Sequence, residues 1–159
     1  MDSKGLTLAL LALLALTLAG GTYMTVRQPR GIRNNNPGNI ENNGIPWNGL
    51  SSEQTDSRFY QFVSPEYGIR AMARILNNYQ VKHGLNTVRA LINRWAPPFE
   101  NKTDSYAEHV AHAAGLDPDQ PIDVSQHLAD IIPVMIKHEN GQQPYSQSTI
   151  NTGIQMAFA

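Results

Sequence analysis

The chain has 159 residues, 41% hydrophobic and 16% charged, with 12 Lys+Arg against 13 Asp+Glu and no cysteine. That length allows one domain with a short appendage. The lack of cysteine excludes a disulfide scaffold, a thiol nucleophile and a cysteine-ligated zinc or iron–sulfur site. A net charge of −1 gives no support for a nucleic-acid partner, which usually calls for a basic excess.

Residues 1–29 are set apart by composition. Leu6 to Val26 runs for 21 residues without a charge, and as a helix it reaches roughly 30 Å, the thickness of a bilayer's hydrocarbon core. Lys4 precedes it, and Arg27, Arg30 and Arg33 follow. The segment reads as a transmembrane signal anchor. A cleaved signal peptide competes, with Thr17-Leu18-Ala19 as its cleavage site, but the apolar run continues through Tyr23, Met24 and Val26. The three arginines would keep the following domain on the cytoplasmic side, whereas a signal-like first segment argues for export. The adjacent Gly20 and Gly21 dilute the run, so a segment that inserts and later leaves the membrane also fits.

Residues 30–159 read as one mostly α domain. Arg30 to Leu50 holds seven asparagines, four glycines and two prolines, a composition that favours turns and Asx-type hydrogen bonds over a regular element. Phe59 to Val63 is a short strand or an extended hydrophobic tether. Ser64-Pro65-Glu66 then signals a helix start. Apolar spacing at Ile69, Met72, Ala73, Leu76 and Tyr79 predicts a helix from Pro65 to Lys82, ended by Gly84, with Arg70 placed to pair with a helix-end carboxylate. Thr87 caps a short helix through Val88, Leu91, Ile92 and Trp95, stopped by Pro97-Pro98. Thr103 or Asp104 opens another through Tyr106 and Val110, ended by Gly115. Asp123 or Ser125 opens one carrying Leu128, Ile131, Ile132, Met135 and Ile136. A last helix holds Ile150, Ile154, Met156 and Phe158.

The next position on the 128–136 stripe is Glu139, at the C-terminal end of its helix. Burial and the negative end of a helix dipole both favour a protonated carboxyl, the condition for a general acid. A surface glutamate at a fraying helix end satisfies the same spacing. The sequence has no HExxH, no phosphate-binding glycine loop and no serine elbow. His109 and His112 lie three apart, but the other histidines are scattered, so no metal site and no cofactor are expected.

The stretch IKHENGQQPY resembles the catalytic-helix end of lysozyme-like muramidases and soluble lytic transglycosylases, where Glu is followed by a small polar residue and Gly, as in Glu139-Asn140-Gly141. RGIRNNNPGNI, the Trp47-x-Gly49 pair, GIRAMARIL and RWAPPFEN together resemble bacteriophage-associated lytic proteins of that superfamily. These motifs span residues 30–145. The superfamily usually places its acid early in the domain, so the resemblance implies either a permuted connection or an acid other than Glu139. Glu41 stands where a basic residue is expected after NPGNI.

The resemblance implies a small lysozyme-like helical domain over residues 30–159 acting on peptidoglycan glycan strands. Glu139 would protonate the oxygen between N-acetylmuramic acid and N-acetylglucosamine. A transglycosylase needs only this acid. A hydrolase needs a second carboxylate at roughly 5 to 9.5 Å, with Glu41, Glu100 and Asp104 as candidates. Asn35, Asn36, Asn39, Asn101 and Asn140 would bond sugar hydroxyl and acetamido groups, and Trp47, Tyr60, Trp95, Tyr106 and Tyr145 would line or stack in the groove. Each has a plainer role in turns or core, Trp95 above all. The implied setting is a bacteriophage protein anchored in the inner membrane, of host or virion, and acting in the periplasm. It would be an endolysin used at lysis or a virion component used at entry. Other readings are a non-enzymatic virion membrane protein, with virion partners, and a stem-peptide endopeptidase.

Overall fold

The computed structural model describes residues 27–96 and 102–159. The 6–26 apolar run, with the anchor and signal readings placed on it, lies outside the described residues, as do Pro97, Pro98, Glu100 and Asn101. Among the described residues no helix is long and apolar enough to cross a membrane.

The described part is mostly helical. A single turn, α1 (Arg30–Arg33), is followed by α2 (Pro65–His83), α3 (Val88–Trp95), α4 (Lys102–Ala113), α5 (Val124–Asn140) and α6 (Gln147–Met156). The expected helix signals act where they stand. Thr87 caps α3 by accepting from the Ala90 amide, and Asp123, rather than Ser125, caps α5 by accepting from the Ser125 amide. Each such cap is worth about 1 kcal/mol. Gly84 and Gly141 end α2 and α5 in the left-handed conformation, at φ 67° and 71°, which glycine adopts without a Cβ penalty.

The main core gathers one stripe from each long helix. Ile69, Met72 and Leu76 of α2, Leu91 and Ile92 of α3, Val110 of α4, and Leu128, Ile131, Ile132, Met135 and Ile136 of α5 are all buried. Each such side chain contributes about 1.5–3 kcal/mol of transfer free energy. Helix α6 packs along α2, and α4 joins α3 to α5. Arg70 Nε and Arg74 Nη1 donate to the carbonyls of Met156 (3.1 Å) and Ala157 (3.0 Å). Arg70 thus meets a helix-end carbonyl, not the expected carboxylate. Cations at that end also complement the helix dipole. Phe158 falls beyond α6 and is 49% exposed, because the chain turns outward once Ala157 is buried.

The segment between α1 and α2 differs from a free loop. Phe59–Val63 makes no strand; its ladder pairing is limited to two isolated antiparallel bridges, Glu41 with Phe59 and Leu50 with Phe62. Separate backbone bonds join the Phe62 amide to the Asn34 carbonyl and the Val63 amide to the Gly49 carbonyl, both at 2.9 Å. A second small core of Tyr60, Phe62 and Ala71 lies beneath it, with Trp47, Leu50 and Tyr67 packed on its edge.

Asp56 is the polar hub of this segment. Its carboxylate accepts from Arg30 Nε (2.7 Å) and Nη2 (2.6 Å), from Asn34 Nδ2 (2.7 Å), and from the amides of Arg58 and Phe59 (both 2.9 Å). The bidentate Arg30 pairing, opposed by burial and reinforced by the amides, holds this carboxyl well below the usual carboxylate range. A depressed folded-state pKa gives stability that is fully present above the unfolded value, about 3.9, and is lost as pH falls through the folded value. Asp56→Asn should therefore cost about 1.5–3 kcal/mol at neutral pH. The gap to wild type should narrow as pH drops below about 4. Urea midpoints measured from pH 7 to pH 2 would check this.

Candidate active site

A cleft of about 770 Å³ opens between the asparagine-rich segment and the ends of α2, α3 and α5. Glu139 and Trp95 line one part, Ile75 and Tyr79 another, and Gly38, Asn39, Ile40, Glu41, Arg58 and Phe59 form the facing side. The apolar stripe of α5 turns Glu139 toward the domain interior, and α5 ends one residue later, so the carboxylate is half-buried at a cleft edge.

Glu139 is held through one oxygen. Trp95 Nε1 donates to Oε1 at 3.1 Å, and the Tyr106 hydroxyl lies 3.4 Å from the same atom. Oε2 accepts no hydrogen bond among the described residues. Tyr106 is buried, and that burial, together with the neighbouring Glu139 charge, pushes its phenol well above the ordinary range. It therefore remains a donor. On its other side the ring stacks on His138, with centroids 3.6 Å apart and planes 5° from parallel. Partial desolvation lowers the His138 pKa against the opposing pull of Glu139, and His109 adds to the lowering.

The turn in NPGNI is built against this group. A Cβ on Gly38 would lie 2.8 Å from Met72 Cγ and 2.9 Å from Trp95 Cζ2, so glycine lets the indole close on the turn and present Nε1 to Glu139. Asn140 Nδ2 donates to the Pro37 carbonyl (2.7 Å) and Asn39 Nδ2 to the Glu139 carbonyl (3.3 Å). These bonds tie the end of α5 to the turn.

Of the residues proposed for substrate binding, the cleft brings together Asn39, Trp95 and Glu139. The others serve elsewhere. Asn36 is fully buried, its amide bonded to the Ile40 and Tyr60 backbone. Asn35 bonds the Phe62 carbonyl, and Asn140 is the tie just described. These asparagines shape the segment because a short amide can satisfy two backbone groups at once. Tyr60 is buried, with its hydroxyl on the Ile45 carbonyl (2.9 Å) and Asn43 Oδ1 (3.0 Å). Trp47 belongs to the second core. Tyr106 stands behind Glu139 without lining the cleft. Tyr145 packs on the main core near Glu66, where burial and that carboxylate push its hydroxyl up to about 12. Asn101 lies outside the described residues.

The candidate second carboxylates separate in the same way. Glu41 lines the cleft but is paired with Arg58 at 2.6 Å. Asp104 is not a cleft residue and joins Glu108 and Asp119 around Arg89. Glu100 lies outside the described residues. The sequence reading missed Tyr79, Phe59 and Arg58 as cleft residues. Tyr79 had a signal, since it closes the α2 stripe where an apolar face runs out. Phe59 lies between two guanidinium groups, Arg30 at 4.7 Å and Arg58 at 4.9 Å, a tertiary arrangement with no sequence signature.

Taken together, the described fold is a mostly α domain with a carboxylate-bearing cleft. No protein-family model matches the chain. Over 132 residues it is 41% identical to "Protein P5" of Pseudoalteromonas phage PM2, covering 81% of this chain and 82% of that protein. The chain belongs to the family of that phage protein, and the bacteriophage association expected from the sequence is borne out.

Proposed function

We propose that the chain is a bacteriophage cell-wall lytic enzyme that cleaves peptidoglycan glycan strands at Glu139. The observation that carries this reading is the half-buried Glu139 carboxylate at the edge of a cleft lined by Trp95 and Tyr79. Aromatic faces suit pyranose rings, and a carboxyl held by neutral donors suits proton transfer. Glu139 gives its proton to the glycosidic oxygen, which takes the bonding electrons as it departs. The sugar's own 6-hydroxyl then closes on C1 and returns its proton to Glu139. This single-acid transglycosylase route, which needs only Glu139, is the one we take over hydrolysis. The domain is lysozyme-like with a permuted connection, and the apolar run at 6–26 anchors it to the inner membrane, so that it works in the periplasm at lysis or entry.

A second reading draws on the same contacts. Trp95 and Tyr106 on one carboxylate oxygen bind α3, α4 and α5 together, as a purely structural glutamate in a virion membrane protein would. Full-length protein in mild detergent, added to purified sacculi, separates the possibilities. Soluble muropeptides with 1,6-anhydro ends are expected. New reducing ends would mean a hydrolase and new amino groups a peptidase. No release by folded protein would favour the structural reading.

A further inference from the structure

We propose that Trp95 and Tyr106 are positioning residues that assign separate tasks to the two oxygens of Glu139, Oε1 being held as an acceptor so that the transferred proton resides on Oε2. This rests on Glu139 being the acid of the proposed reaction. An indole Nε1–H can only donate. A proton on Oε1 would therefore compete with the Trp95 bond at 3.1 Å. The Tyr106 hydroxyl, 3.4 Å from the same oxygen, is buried and remains protonated, so it adds a second donor on that side. Oε2 accepts nothing among the described residues, which leaves it the oxygen on which a proton meets no competing donor.

The arrangement also acts on rate. When the proton leaves Oε2, negative charge develops on the carboxylate, and hydrogen bonds to a charged acceptor are roughly twice as strong as neutral ones. Both donors therefore strengthen on the way to the transition state, and interactions that grow in that direction raise kcat rather than lower KM. His138 holds the Tyr106 ring from the opposite face, at 3.6 Å between centroids, so the hydroxyl is aimed by packing.

Full-length wild type, Glu139→Gln, Trp95→Phe and Tyr106→Phe are compared on solubilised glycan strands. Tyr106→Phe keeps the ring that stacks on His138, and circular dichroism with thermal melting verifies each fold. Tyr106→Phe, outside the cleft, should lose about tenfold or more in kcat with KM nearly unchanged, and Trp95→Phe should show the same fall in kcat with a smaller rise in KM from its altered cleft face, by analogy with the loss of one preorganised donor. A purely structural role would not separate kcat from KM in this way while the fold is unchanged. Active wild type and inactive Glu139→Gln, with both folded Phe variants keeping wild-type kcat, would overturn this assignment alone. Inactive wild type, or an active Glu139→Gln, would overturn the acid itself and this assignment with it.

Discussion

Glu139→Gln should reduce muropeptide release from sacculi by about 10²–10⁴-fold, the contribution expected of a positioned general acid. Glutamine keeps the shape of the carboxyl and an amide oxygen that can still accept from Trp95 Nε1 and Tyr106. The bonds that join α3, α4 and α5 at this point are therefore retained, and the melting temperature should stay within a few degrees of wild type. What glutamine lacks is a transferable proton. Loss of activity without loss of fold separates the catalytic from the structural account of the same contacts. The check is a pair of measurements on one preparation, the melting curve and the rate of release. An unchanged rate would remove Glu139 from the chemistry, and a large drop in melting temperature with no wild-type activity would favour the structural glutamate.

Gly68→Ala is expected to be strongly destabilising. A Cβ there would collide with the Asn35 carbonyl oxygen and lie 2.7 Å from Pro37 Cδ. The first of these is backbone and the second is part of a rigid ring, so neither can swing away. Relief requires the asparagine-rich segment to lift from α2. That movement strains the Asn35 bond to the Phe62 carbonyl, at 3.0 Å, and the Asn140 bond to the Pro37 carbonyl, at 2.7 Å. Overpacking of this kind costs on the order of 3 kcal/mol, a large part of the stability of a small domain, and should lower the melting temperature by roughly 10 °C. Ser64→Ala, four residues earlier, is the control. Its side chain makes no cap hydrogen bond to α2, so its effect should stay within about 0.5 kcal/mol. Thermal unfolding of the three proteins decides the matter. Because the lifted segment carries Gly38 and Asn39, Gly68→Ala should also open the cleft.

The helices were legible because their signals are local. Pro65 at the first position of α2, the Thr87 and Asp123 caps, and Gly84 and Gly141 at the ends each act within one turn. The 3–4 spacing on α5 likewise carries Glu139 to the helix end on the inward face. The one-turn α1 was not legible, since it rests on a single pair of bonds from the Arg33 and Asn34 amides to Pro29 and Arg30. Nor was the difference among the asparagines. Asn35, Asn36 and Asn39 are alike in sequence, yet one holds Phe62, one is buried between Ile40 and Tyr60, and one lines the cleft. Their roles follow from segments brought together across more than twenty residues. Tyr106 was expected to face the substrate and instead stands behind the carboxylate, because α4 turns its buried face to α5. Asp56 gave no signal at all, lying in a polar stretch whose importance depends on the arrival of Arg30.

The most direct test of the account is a defined glycan tetramer alternating N-acetylglucosamine and N-acetylmuramic acid, incubated with full-length wild type and Glu139→Gln and read by mass. The account predicts cleavage by wild type after N-acetylmuramic acid, a 1,6-anhydro product lighter by one water than the hydrolytic one, and an intact tetramer with the variant. A tetramer left intact by folded wild type, or cleaved equally by both, would contradict it.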